Sequence, residues 1–142
     1  FQRESRAAAA INHPNVLTIY SVEEIDQVPF LVMEYVAGRS LRQHITTQGH
    51  LDTIETVRLA FQIALGLAAA HAQGVIHRDV KPANIMLQDD ATRARITDFG
   101  LARVTFDNTE LTSHDHIVGT PAYMAPEQIR GDKVDTRSDL FS

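Results

Sequence analysis

Residues 77 to 84, HRDVKPAN, place an imidazole, a guanidinium, a carboxylate, an ammonium group and an amide within eight positions. Further along the chain reads DFG, so Asp98 follows Asp79 by 98 − 79 = 19 residues. Oxygen donors such as Asn84 and Asp98, on neighbouring strand ends, suit Mg²⁺, a hard cation that takes oxygen ligands. A second carboxylate close by, Asp79, accepts the proton of an attacking hydroxyl. The ammonium of Lys81 neutralises a transferring phosphoryl group, whose charge spreads over its oxygens. Base, metal and cation together describe phosphoryl transfer. The flanking segments, GVI and IML, are apolar and hold the polar loop still.

The order HRDVKPAN, DFG, then APE at Ala125 to Glu127 resembles the catalytic loop, metal loop and closing motif of eukaryotic-like protein kinases. The resemblance covers essentially all of the row, with one small departure at Val80, where the family has leucine. It implies roles. Asp79 is the catalytic base, Lys81 contacts the γ-phosphate, and Asn84 and Asp98 hold the metals. His77 and Phe99 stack the loop and the metal motif into the core. FLVMEYV resembles the strand leading to the hinge, with Met33 as gatekeeper and the backbones of Glu34 and Val36 pairing with adenine. Met86 forms the floor beneath the base. Glu4, in FQRES, fits the helix glutamate that pairs with the family's ATP-positioning lysine. That lysine and the glycine-rich loop would precede Phe1. Asp139 would brace the backbone of the HRD turn.

Lys81 and GTPAYMAPE at 119 to 127 resemble Ser/Thr kinases rather than tyrosine kinases, with Thr120 seating the acceptor hydroxyl. HPNVLTIY and GTPAYMAPEQ are similar to bacterial members. The segment 98 to 127 is then a phosphorylation switch, with Thr112 and Ser113 as its foremost sites, Thr105 and Thr109 behind them, and Arg78 as receiver. The resemblance therefore implies ATP- and Mg²⁺-dependent phosphorylation of protein Ser/Thr hydroxyls, and a kinase dimer for trans-autophosphorylation. A pseudokinase scaffold and a kinase-like small-molecule phosphotransferase are the competing functions. The intact Asp79, Lys81, Asn84 and Asp98 weigh against the first. Arg78, where such phosphotransferases carry glycine, weighs against the second. His114 and His116 have metal-ligand spacing but no evident third ligand.

The elements that must position these groups follow from patterning. The 142 residues are 44% hydrophobic and 22% charged, the composition of one globular domain. A net charge of -5 argues against nucleic acid as a partner. With no cysteine, disulfides and thiolate metal sites are excluded. Residues 1 to 12 predict an Ala-rich helix that His13-Pro14 ends. VLTIYSV (16 to 22) and FLVMEYV (30 to 36) predict a hairpin joined by EEIDQVP. Gly38 breaks the second strand, and 40 to 46 predict a short helix. The strongest helix runs over 53 to 73, with Asp52 and Glu55 as a capping box and Gly74 as C-terminal cap. Its apolar stripe is Ile54, Val57, Phe61, Ala64, Leu65 and Ala68. The uncharged run 59 to 77 holds Gln62, His71, Gln73 and His77, so it is not read as a membrane span. Strands IMLQ (85 to 88) and ARIT (94 to 97) flank a turn, and 98 to about 125 is irregular.

The fold class expected is α+β: a truncated, two-lobe protein-kinase-like fold. Residues 1 to 37 make the C-terminal part of the small lobe and the hinge, and 38 to 142 the first part of the large lobe. Both ends read as cut, and a cytoplasmic location is expected, with any membrane tether outside this row.

Overall fold

The computed structural model describes residues 9 to 99 and 121 to 142. Most of the helix expected over 1 to 12 lies outside the described residues, Glu4 included.

β1 (Ile19–Ile25) and β2 (Val28–Met33) form an antiparallel hairpin in which Ile25 pairs with Val28. Only Asp26 and Gln27 remain as the turn, with φ of 51° and 64°. Two positive φ values give the primed turn whose twist matches the strands it joins. The connector expected over EEIDQVP is therefore mostly strand. Its turn carries no glycine, and its polar residues are exposed strand positions, so composition hid both features.

A second sheet has the order β3 (Arg39–Ser40), β4 (Ile85–Gln88), β5 (Arg93–Ile96), all antiparallel. The segment before β1 lies along its far edge. Leu17 N donates to Ile96 O at 2.8 Å, and Ile96 N donates to Asn15 O at 2.8 Å. Gly38 delivers the chain to β3 at a point of close approach, where a Cβ would stand 2.0 Å from Leu87 O. It is a requirement for space as well as a strand break.

α1 (Leu41–Gln48) starts at Ser40, which with Gln43 forms a reciprocal capping box. α2 (Thr53–Ala72) starts at Asp52, whose carboxylate accepts from Glu55 N at 2.7 Å. The Glu55 side chain does not return the bond. It turns to His44 Nε2 at 2.9 Å instead, so the expected capping box is half made. Gly74, with φ of 74°, follows the cap residue Gln73 and donates to His71 O at 2.9 Å.

α2 buries Leu59, Gly66, Leu67 and Ala70 against Val16, Ile85, Leu87 and Ile96. A Cβ on Gly66 would meet Asn15 O and Ile96 Cδ1 at 2.9 Å, so glycine sets the distance between helix and sheet. The stripe expected to pack is the other face. Ile54 is 81% exposed and Phe61 64% exposed. The helix is apolar on both faces, and periodicity selected the one that the described core leaves outside. By length and composition α2 could cross a membrane. Here its polar groups bind into the fold: Gln62 Oε1 accepts from Ala94 N at 2.9 Å and from Asn15 Nδ2 at 3.1 Å. α3 (Pro126–Arg130) and α4 (Thr136–Phe141) close the described chain.

Candidate active site

The HRD turn is strained and held. Arg78 has φ of 68°, a left-handed conformation that costs a non-glycine residue about 1–3 kcal/mol. The holder is Asp139 of α4, which is 3% exposed. Its Oδ1 accepts from Arg78 N at 2.7 Å, and its Oδ2 from His77 N at 2.8 Å. His71 Nε2, from the end of α2, lies 2.7 Å from the same Oδ2. From α3, Gln128 Nε2 donates to Arg78 O at 2.7 Å. Both sides of the strained residue are fixed by side chains from two helices.

His77 has no exposure at all. Asp79 N donates to its Nδ1 at 3.2 Å, which leaves the ring proton on Nε2, 2.9 Å from Thr97 O. Burial pushes His77 below the ordinary imidazole value of 6.5, with the Thr97 bond pulling the other way. Its ring packs on Phe99 at a centroid distance of 4.6 Å and a tilt of 54°. The neutral histidine thus joins the loop 77 to 84 to the segment carrying Asp98.

One turn of 3₁₀ helix, Pro82–Asn84, returns Asn84 beneath Asp79. Asp79 Oδ2 receives Lys81 Nζ at 2.6 Å and Asn84 Nδ2 at 2.9 Å. Asn84 Nδ2 also donates to Asp79 O at 2.9 Å. With both amide protons so used, the oxygen of Asn84 remains as a metal donor, and Oδ1 of Asp79 remains as a proton acceptor. Thr97 N donates to the backbone O of Asn84 at 3.0 Å, and the exposed Asp98 is the next residue along the chain. Asp98 also has a left-handed φ, 62°. One carboxylate and one amide oxygen fit Mg²⁺, which keeps waters and substrate phosphates in its shell rather than an all-protein cage. Among the described residues, no group of three or more His, Cys, Asp or Glu forms such a cage.

On the other side stand the residues expected to meet a base. Met33 ends β2, and Glu34 N donates to Thr18 O at 2.9 Å. Val36 is buried, and Met86 is half-buried on β4. The Glu34 carboxylate is gripped by Arg95 of β5, Nη1 to Oε1 at 2.5 Å and Nη2 to Oε2 at 2.7 Å. That fork lowers Glu34 below the usual carboxylate value. Thr105, Thr109, Thr112, Ser113, His114, His116 and Thr120 all lie outside the described residues.

Three residues escaped the sequence reading. Arg95 sat inside an apolar strand pattern, where a charge needs a buried partner, and that was its signal. His71 was used only as a polar residue in an apolar run. Gln128 stood just past APE with nothing to mark it.

The whole row, residues 1 to 142, matches the family described as protein kinase domain. Serine/threonine-protein kinase PknB of Mycobacterium leprae is 42% identical over 147 residues, covering 100% of this chain and 23% of the relative. Serine/threonine-protein kinase pkn3 of Myxococcus xanthus is 41% identical over 150 residues, covering 100% of this chain and 27% of the relative. The crystal structure of the Mycobacterium tuberculosis PknI kinase domain superposes with a TM-score of 0.74 at 33% identity, over 98% of this chain and 50% of that one. The chain thus spans about a quarter of the length of these two curated relatives.

Proposed function

The chain belongs to the protein kinase domain family, and from that premise we propose that its protein transfers the γ-phosphate of ATP to Ser or Thr hydroxyls of protein substrates. One observation carries this reading: Lys81 and Asn84 converge on a single oxygen of Asp79 at 2.6 and 2.9 Å, on a turn pinned by Asp139. That arrangement fixes the carboxylate and keeps its second oxygen for the acceptor hydroxyl. Asp79 takes the hydroxyl proton as the oxygen attacks phosphorus. Lys81, 2.6 Å from that carboxylate, would also meet charge on the transferring group. Asn84 and Asp98 would hold Mg²⁺, which when bound neutralises phosphate oxygens. Met33, the backbones of Glu34 and Val36, and Met86 would form the adenine site, and Glu4 would pair with a lysine from the preceding part of the small lobe. In this reading the hinge ends at residue 37, and the large lobe begins at 38.

Thr120 would seat the acceptor, and Arg78 would receive a phosphate placed at Thr112 or Ser113. A kinase dimer supplies that phosphate in trans, and the site faces the cytoplasm. The test is transfer of labelled phosphate from Mg·ATP by the complete protein to itself and to a Ser/Thr-rich acceptor. Acid hydrolysis should yield phosphoserine or phosphothreonine. A complete protein that binds Mg·ATP and transfers nothing would favour the scaffold.

A further inference from the structure

A buried arginine on a short strand is an expensive choice. Arg95 is 8% exposed and lies between Ala94 and Ile96, neither of which is exposed at all. Besides its two bonds to Glu34, its Nη2 donates to Val16 O at 3.0 Å. Its Nε has no partner among the described residues. An ion pair buried on the arginine side, with an orphaned N–H, is weak evidence for stability, because a well-packed apolar side chain would often do as well or better. What the pair does achieve is a fixed relation between two segments.

Those segments are the two ends of the proposed nucleotide site. Glu34 follows Met33 directly and sits in the stretch proposed to read adenine. Arg95 pairs across the sheet with Met86, the proposed floor, and lies three residues before Asp98 (98 − 95 = 3). A planar fork on a carboxylate constrains both distance and angle, which a lysine's single ammonium does not. Val16 adds a third point, since its carbonyl belongs to the segment that runs along β5.

We propose that Arg95 is a positioning residue: its fork to Glu34 locks the adenine-reading segment in register with β5, which ends two residues before Asp98 (98 − 96 = 2). The proposal rests on the ATP-dependent reading above. A nucleotide is held at its base and at its metal-bound phosphates. When the two grips are in fixed register, engaging the second is an intramolecular event and costs little. When the register slackens, each grip still takes its own piece of the ligand, and only joint binding is lost.

The experiment uses the complete protein, three single variants and the Arg95→Met/Glu34→Gln double variant. Arg95→Met removes the fork while keeping an apolar stem, Arg95→Lys keeps the charge, and Glu34→Gln breaks the pair from its partly exposed side. Arg95→Met should weaken Mg·ATP by about tenfold by calorimetry, while adenosine shifts less than about twofold. The KM for ATP should rise with kcat nearly unchanged, Arg95→Lys should fall between, and Glu34→Gln should match Arg95→Met. The double variant should be no worse than Arg95→Met alone, as expected when one interaction is removed twice. Equal losses for adenosine and Mg·ATP, or an unchanged Mg·ATP affinity in Glu34→Gln, would overturn the proposal. Should Arg95→Met fail to fold, Glu34→Gln against adenosine and Mg·ATP decides alone. A wild-type protein that binds no Mg·ATP overturns the function and the strut together. A wild-type protein that binds it beside unaffected variants overturns the strut only.

Discussion

Asp79 has one oxygen committed to Lys81 and Asn84, which in the proposed reaction leaves the other for the acceptor. In the complete protein Asp79→Asn keeps the size of the group but cannot take a proton. Phosphoryl transfer should fall by about 10²–10⁴-fold while Mg·ATP affinity stays close to wild type. Single-turnover transfer measured beside nucleotide titration checks both halves, and a rate within about tenfold of wild type would remove Asp79 from the role of base. Asp98→Ala should act on the other substrate. Mg·ATP should bind far more weakly and metal-free ATP almost unchanged, because the contacts at 34 to 36 are spared. Equal losses would take Asp98 out of the metal site. These residues were legible because their chemistry is written in consecutive letters. Arg95 was not, since its meaning depends on Glu34, 61 positions away.

At the scale of elements, His77 ties the loop 77 to 84 to the segment that follows β5, and its burial has a consequence for pH. Its folded value lies below 6.5, so under acid conditions the unfolded chain takes up a proton that the folded chain refuses. The stability it contributes is complete above pH 6.5 and is lost as pH falls from there towards the folded value. The slope is at most about 1.4 kcal/mol per pH unit. His77→Phe should be less stable near neutrality, through loss of the Thr97 bond, yet flatter against pH in this window. Urea midpoints of both proteins at several pH values give the comparison, and parallel curves would contradict it. Gly38→Ala forces a Cβ to 2.0 Å from Leu87 O, so β3 must part from β4. A loss of about 1–3 kcal/mol is expected from overpacking, and an unshifted urea midpoint would count against it. Existence and type of elements were legible where a cap spoke, as at Asp52. The hairpin turn was not, because Asp26 and Gln27 adopt positive φ without the glycine that normally signals it.

At the scale of the molecule, one apolar stripe has no cover among the described residues. Ile54, Val57, Phe61 and Leu65 of α2 are 81, 63, 64 and 41% exposed, and Leu140 and Phe141 of α4 are 69 and 60% exposed. A helix apolar on both faces belongs inside a larger core. The PknI kinase domain, of which this chain spans 50%, offers the scale of that core. Leaving such side chains in water forfeits roughly 25 cal/mol per Å². Against a net domain stability of about 5–15 kcal/mol, that loss is decisive. Expressed alone, the 142 residues should be molten or self-associating and inactive, with amide exchange lacking a cooperative protected core. The same face gives a second test of opposite sign. Phe61→Ala should improve the solubility of the isolated 142 residues, yet cost the complete protein about 3–5 kcal/mol, the usual loss for a buried aromatic. Urea unfolding of the complete protein measures the second effect. A cost under about 1 kcal/mol there would mean that Phe61 faces water in the whole protein too, and the covered-face argument would fail.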